Sequence, residues 1–399
     1  MYDFCISGGG MIGAATALGL RRQGYQVAVI EASQPRPFAP GDGPDLRVSA
    51  LSMASVDLLA ELGAWQHLPE GRVRQYDSLS VWEAPDTRTD FTAAMANLDI
   101  LGYFVENRLL QLACLDALAQ CNKATAHSEA LSGWFDSTIH TLTQHSDHCS
   151  IALANGKHLQ ARWLIGADGA NSVVRRLAGI GTTGWQYGQH ALGITVETQQ
   201  PLANWTWQEF HPTGPRAFLP MYDNFGSFVW YDSPEKIKAL SKLDNSRLQQ
   251  AITDAFPAHA GAFRVVGKAA FPLTRMHAQQ YLNGRVILVG DAAHTINPLA
   301  GQGVNIGFRD VASLLAQCKD AGDLNSPAFV RALQQAYERP RRRDNLAMMS
   351  AMDGFYLLFS NNLPPVKWIR NRLLGLAQTM TPVRRQVLKY AMGMHQWKF

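Results

Sequence analysis

The clearest pattern along this chain is an apolar run, then a glycine-bearing turn, then an Ala/Leu-rich stretch. Residues 3–7 form such a run, residues 8–13 the turn, and the stretch after it reads as a helix to about Gln23; residues 26–30 are a second strand, ended by Glu31. The same order of signals recurs at 163–175 and at 286–317, where the buried run 286–289 leads into a turn and 304–317 reads as a helix. Between them the pattern predicts a helix over 51–64, strands over the alternating positions 72–104, a long helix from 105 to about 119, and strands over 134–164. Residues 185–273 change texture. Aromatics, prolines and short alternating runs predict an antiparallel sheet, and Phe218, Tyr222 and Trp230 are candidates for lining a pocket for a flat, apolar substrate. Residues 331–399 read as helices broken at 361–365. The chain therefore divides into a cofactor domain in three parts (1–75, 105–184 and 276–330), a substrate domain in two (76–104 and 185–275), and a helical C-terminal segment, 331–399.

The turns carry the chemistry. Gly8-Gly9-Gly10-Met11-Ile12-Gly13 lies between a strand and a helix, with a strand and Glu31 after it. Gly8 makes the tight turn, Gly10 lets a pyrophosphate approach, Gly13 lets helix pack on strand, and Glu31 is placed to hold an adenosine ribose. This order points to a dinucleotide but does not separate NAD from FAD. Arg47 is either a surface base or a planar fork for the pyrophosphate. Asp168, in Gly166-Ala167-Asp168-Gly169, stands at a strand end facing the ligand crevice, with Asn171 or Ser172 available to cap the next helix. Gly290-Asp291 stands at another. There Asp291 would accept from ribityl hydroxyls, while Gly301, Gln302, Gly303, Val304 and Asn305 open a helix whose free N–H groups would face a developing anion. A flavin dinucleotide satisfies both demands. Pro298 would border the face where oxygen reacts, and His294 is either a catalytic or a structural neighbour. The Gly301–Gly307 pattern is not a second fingerprint, because no strand immediately precedes it and no strand–acid pair comes after it; NAD(P)H must then bind transiently on shared surface.

Composition narrows the class. With 399 residues and 47% apolar content the chain is long enough for two domains. Five scattered cysteines, none in a Cys-x-x-Cys pair, predict reduced thiols in a cytoplasmic protein and argue against a disulfide-reducing flavoenzyme. The twelve histidines show no metal-ligand spacing. A strand starting at Asp3 leaves no room for a signal peptide, and no apolar run reaches the length of a membrane span. Charge is unevenly spread: residues 331–399 hold 12 Lys/Arg against three acids, a tail of +9 on a body of −5. That tail is a solvated face, a partner-binding surface or a contact for the anionic inner face of a membrane; no motif supports nucleic acid.

The three glycine–acid elements, in this order over nearly the whole chain, resemble the group A FAD-dependent aromatic hydroxylases of the p-hydroxybenzoate hydroxylase fold. Residues 105–111 and the run from His294 to Asn305 resemble the ubiquinone-biosynthesis branch, as do Trp207-Gln208-Glu209-Phe210, residues 229–234, 359–365 and 388–391 in the regions where branches differ. The resemblance implies an α/β fold: a Rossmann-type FAD-binding domain, an inserted mixed or antiparallel substrate sheet, and a helical C-terminal segment. It implies that Gly10, Gly13, Glu31, Arg47, Arg108, Asp168 and Asp291 contact FAD or shape its site. It also implies hydroxylation of a polyprenyl methyl-methoxy-benzoquinol, with NAD(P)H as transient donor and O2 as co-substrate through a flavin C4a-hydroperoxide, alongside other ubiquinone-biosynthesis proteins. A hydroquinol is already activated by its hydroxyls; if a base is needed, Tyr222 and Tyr231 are the candidates. Competing readings are hydroxylation at another ring position or of a soluble phenol, and a non-catalytic FAD-binding scaffold. A flavin halogenase is disfavoured because Trp205-Thr206-Trp207 lacks the flanking motif.

Overall fold

The computed structural model describes residues 1–84, 87–124, 133–296, 303–360, 385, 386 and 388. Its first sheet is built on Tyr2–Ser7, which pairs in parallel with Val27–Glu31 on one side and with His158–Gly166 on the other. His158–Gly166 pairs in parallel with Val286–Leu288, and Val27–Glu31 with Gly133–Asp136. Helices Met11–Arg22, Asn107–Ala124 and Gly303–Cys318 pack around this sheet, so its central strands are apolar on both faces, as buried parallel strands must be. Register places the turns. Ser7 lies beside Gly166, and Gly166 beside Leu288. Three strands distant in sequence thus end side by side, and the turns at Gly8, Asp168 and Gly290 open along one edge.

The second sheet has eight strands, in the order His294–Thr295, Phe263–Ala278, Thr182–Thr198, Phe225–Asp232, Arg216–Pro220, Trp205–Glu209, Ser78–Trp82 and Thr89–Thr92. Pairing is antiparallel except between Trp205–Glu209 and Ser78–Trp82. The interval 185–273 also contains two helices that the strand pattern did not predict, Pro234–Lys242 and Asn245–Ala255. Their start signals are local: the Ser233 side chain accepts from Lys236 N–H ahead of Pro234, and Asp244 accepts from Arg247 N–H. The two-residue period of the strands puts Leu192, Ile194, Val196, Phe218, Phe228 and Trp230 against these helices in one core.

A small third sheet joins Val48–Ser52, Gly102–Glu106 and Arg74–Tyr76. Within the interval 76–104, Ser78–Trp82 and Thr89–Thr92 join the large sheet, whereas the strand that begins at Gly102 belongs to the small one. The predicted helix over 51–64 is shorter, Met53–Glu61, because residues 51 and 52 complete a strand. Helix Arg339–Phe359 is the longest described element of the C-terminal segment; the break at 361–365 and the aromatics beyond it lie outside the described residues.

Candidate functional site

The first turn is shaped by two close approaches. Gly8 has φ +101°, where a side chain is strained, and a Cβ on Gly13 would lie 1.9 Å from the Gly8 carbonyl oxygen. A Cβ on Gly10 would meet no protein atom within 4 Å, so at this position the turn borders open space. Met11 and Ile12 begin the helix, and Ile12 packs against Gly290 and Gly307, joining the first turn to the third. Glu31, at the end of its strand, accepts from Gly9 N–H at 2.6 Å, and Gln111 donates to Gly9 O at 2.8 Å. The carboxylate therefore sits over the glycine turn. This local geometry fits a pyrophosphate at Gly10 and a ribose at Glu31.

The second turn is more occupied. Asp168 accepts from Val173 and Val174 N–H at 2.7 and 3.1 Å and from the Ser172 hydroxyl, capping helix Val173–Leu177. Ser172 in turn accepts from Arg175 N–H, so of the two expected cap candidates it is Ser172 that fills the place, with Asp168 as a further acceptor. Gly169 has φ +78° and open space about it. Arg175 donates to Ala170 O and Ala292 O, both at 2.8 Å, and ties this turn to the third.

At the third turn, Asp291 is crowded by protein yet open to solvent, as a side chain on the floor of a crevice is. Burial pushes its carboxyl up, while His294 and Arg47 pull it down. Arg47 is exposed and near enough to act on the Asp291 carboxyl, and among the described residues no hydrogen bond or ion pair engages its side chain. Arg108 is engaged differently. It bonds Asp42, Asp45 and the carbonyls of Arg36 and Pro37, fixing the proline-rich loop that leads to Arg47. Asn305, 1% exposed, donates to Ala50 O and accepts from Ser52 N–H and the Ser55 hydroxyl. Its side chain is spent on anchoring the start of helix Gly303–Cys318 to the small sheet. Gly303 and Val304 form the first positions of that helix. Pro298, Gly301 and Gln302 lie outside the described residues.

His294 belongs to a buried network that sequence reasoning missed. Its Nε2 lies 2.5 Å from Asp310 Oδ2, and neither side chain is exposed. The same oxygen accepts from Gly290 N–H at 3.0 Å, and Asp310 Oδ1 accepts from Arg341 Nε at 2.8 Å. Burial alone would raise the Asp310 carboxyl; His294 and Arg341 together hold it down at about 2. Asn345 bridges Arg341 to the Tyr281 hydroxyl, which meets His277 Nε2 at 2.9 Å. Burial, His294, Arg342 and Arg275 lower His277 to about 4. His294 thus lies behind the turn, fully buried and paired with Asp310, which is the structural one of its two expected places.

The aromatic pocket needs correction. Phe218 and Trp230 are 3% exposed and face the two helices, Phe218 against Trp207 and Phe228, Trp230 against Phe256 and the Arg216 guanidinium. Strand alternation turns them away from the opposite face. Tyr222 lies under the Arg72 guanidinium, 4.0 Å from its ring centre, and Arg72 is paired with buried Glu106. Burial raises the Tyr222 hydroxyl to about 12 and raises Tyr231 further, so neither is a base at neutral pH. The opposite sheet face is lined by small residues. Ala191, Gly193 and Thr195 lie beside Tyr231, Val229 and Ser227 on one side and Phe271, Ala269 and Gly267 on the other. This face meets the loop that leads to Arg47: a Cβ on Gly267 would lie 2.7 Å from Leu46 Cδ2, and one on Gly193 would lie 3.8 Å from Leu46 O. The Thr195 hydroxyl is buried there without a partner.

Comparison with known proteins agrees with this geometry. The FAD binding domain family matches residues 1–319. The chain is 44% identical over 392 residues to the 3-demethoxyubiquinol 3-hydroxylase of Escherichia coli, covering 98% of each chain. It is 33% identical to the mitochondrial ubiquinone biosynthesis monooxygenase COQ6 of Xenopus tropicalis, over 98% of this chain and 93% of that one. In fold it resembles the p-nitrophenol 4-monooxygenase PnpA of Pseudomonas putida, with a TM-score of 0.78 at 18% identity and 98% of each chain covered.

Proposed function

The chain belongs to the FAD-dependent hydroxylases of ubiquinone biosynthesis, and from that premise we propose that it hydroxylates the ring of a polyprenyl methyl-methoxy-benzoquinol. The balance is quinol, NAD(P)H, a proton and O2 giving the hydroxylated quinol, NAD(P)+ and water. Bound FAD supplies the electron transfer from NAD(P)H and the activation of oxygen. The turn at Gly10 and the Arg47 fork would hold its pyrophosphate, Glu31 its ribose, Asp291 its ribityl chain, and the start of helix Gly303–Cys318 its ring.

The observation that carries the substrate reading is the small-residue strip at Ala191, Gly193 and Ala269. One-carbon or absent side chains leave a flat floor facing the loop of Arg47. Ala269 and Phe271, both part-exposed, give that floor its apolar surface, backed by Ala191 and Tyr231, which are buried beside them. The walls keep water from the reacting ring.

A polyprenyl chain demands an apolar route. No helix among the described residues is long and apolar enough to cross a membrane. Helix Arg339–Phe359 exposes Leu346, Phe355, Leu357 and Leu358, with Arg339 and Arg343 exposed nearer its start. This mixture suits the surface of an anionic membrane, from which the quinol head would enter.

The test is incubation of the yellow holoenzyme with NAD(P)H, O2 and a short-chain 3-methyl-6-methoxy-benzoquinol, with mass spectrometry for one added ring oxygen. Gly193→Leu should retain FAD and divert reducing equivalents to peroxide. Peroxide without product from the wild type, or faster turnover of an unprenylated phenolic acid, would reject the substrate. Cosedimentation with phosphatidylglycerol vesicles that Leu357→Asp leaves unchanged would reject the membrane contact.

A further inference from the structure

Helix Arg339–Phe359 lies beyond residues 1–319, the extent of the FAD binding domain match, yet it is bonded to both halves of the site. Near its start, Arg341 and Asn345 hold Asp310, whose other oxygen holds the Gly290 amide and His294. In its middle, Met348 and Met349 pack with Ile296 and Ile306, which flank the loop between the third turn and helix Gly303–Cys318. Towards its end, Asp353 accepts from the Tyr187 hydroxyl at 2.5 Å and from Arg275 Nε at 2.7 Å, both on strands of the substrate sheet. Tyr356 packs on Tyr187, with ring centres 4.7 Å apart. Twelve residues of helix, roughly 18 Å at 1.5 Å per residue, separate the two bonded ends.

We propose that Arg341 is a positioning residue for bound flavin, acting through Asp310 on the Gly290–Asp291 turn, and that Asp353 at the far end positions the substrate sheet. The inference rests on the reading of Asp291 as a flavin contact. The physical reason is that the Gly290 amide and the His294 ring share one carboxylate oxygen. The carboxylate stays in place because a buried cation and an amide hold its other oxygen. Without Arg341 the buried charge of Asp310 is under-compensated, and the turn loses the fixed partner that aims Asp291 into the crevice. Asp353 sits on the other sheet, so its loss is expected to leave the turn alone and to loosen the substrate face near Tyr187 and Arg275.

The test compares full-length wild type, Arg341→Lys, Arg341→Met and Asp353→Asn as holoenzymes. FAD release on dilution is monitored by recovery of free-flavin fluorescence, beside thermal unfolding and the KM for the quinol analogue. Arg341→Met should release FAD roughly tenfold faster or more, within the range of coupling between linked sites, and Arg341→Lys should recover part of the loss by restoring the charge. Asp353→Asn should release FAD within about twofold of wild type while raising KM or the peroxide fraction, a split a general brace would not give. Should Arg341→Met fail to fold, Arg341→Lys carries the comparison. Wild-type FAD release in a folded Arg341→Lys, or equal loss of FAD at both ends in proportion to lost thermal stability, overturns the proposal. A wild type that holds no FAD would instead overturn the flavin reading itself.

Discussion

Gly10 and Gly13 lie in one motif but are predicted to fail in opposite ways when changed to alanine. A Cβ at Gly13 would sit 1.9 Å from the Gly8 oxygen and 2.9 Å from its carbonyl carbon. A close carbon–oxygen contact is about 3.3 Å, so helix and turn would have to separate by more than about 1 Å. Both atoms at the clash are backbone, and the turn is tied by Gly8 N–H to Ile30 O at 2.7 Å, so no flexible side chain can yield. Overpacking of this kind costs about 3 kcal/mol, and the better helix propensity of alanine returns about 1, leaving a loss of about 2 kcal/mol. Gly10 differs. Its φ is −65°, and a Cβ there meets nothing within 4 Å. The capping cost of alanine, about 0.5–1 kcal/mol, is offset by a similar gain from restricting the unfolded chain. Gly10→Ala should therefore fold with wild-type stability and lose FAD, because the methyl occupies the space a pyrophosphate needs. The assay is denaturant unfolding of FAD-stripped protein beside FAD titration. Unaltered stability of Gly13→Ala, or wild-type FAD affinity of Gly10→Ala, would refute the reasoning.

Buried side chains give two further outcomes. His277 is held near 4 in the folded protein against 6.5 when free, so between these values the unfolded chain binds the extra proton and stability falls as pH falls. The full loss is about 3 kcal/mol, present below about pH 4 and absent above about 6.5; His277→Gln should flatten that part of the stability–pH curve, and an unchanged slope would remove His277 as its source. Trp230→Ala should cost about 3–5 kcal/mol of stability while leaving the quinol KM of the folded enzyme within about twofold. A raised KM at unchanged stability would place that side chain in the substrate pocket after all.

What the sequence determined by itself was local: the Gly8–Gly13 turn between strand and helix, the acid ending the second strand, the strand–Gly–Asp turns at 168 and 291, and the antiparallel texture of the substrate region. These depend on neighbours a few residues away, and glycine, aspartate and apolar runs report them directly. The helices at 234–255 were also legible, through Ser233-Pro234 and Asp244, but a strand-like composition around them hid the caps. The tertiary structure decided the rest. Alternation separates the two faces of a strand without saying which one gains a helical cover, so Phe218 and Trp230 are core under the helices, while Ala191 and Gly193 face the other way. Arg341 sits in a basic cluster that reads as a solvated face, and only packing shows it 6% exposed against Asp310. Asp310 and Arg341 are 31 residues apart, and the strands that align the three turns are separated by more than a hundred. Burial, pairing and register are properties of the whole chain brought together, whereas propensity belongs to each short segment.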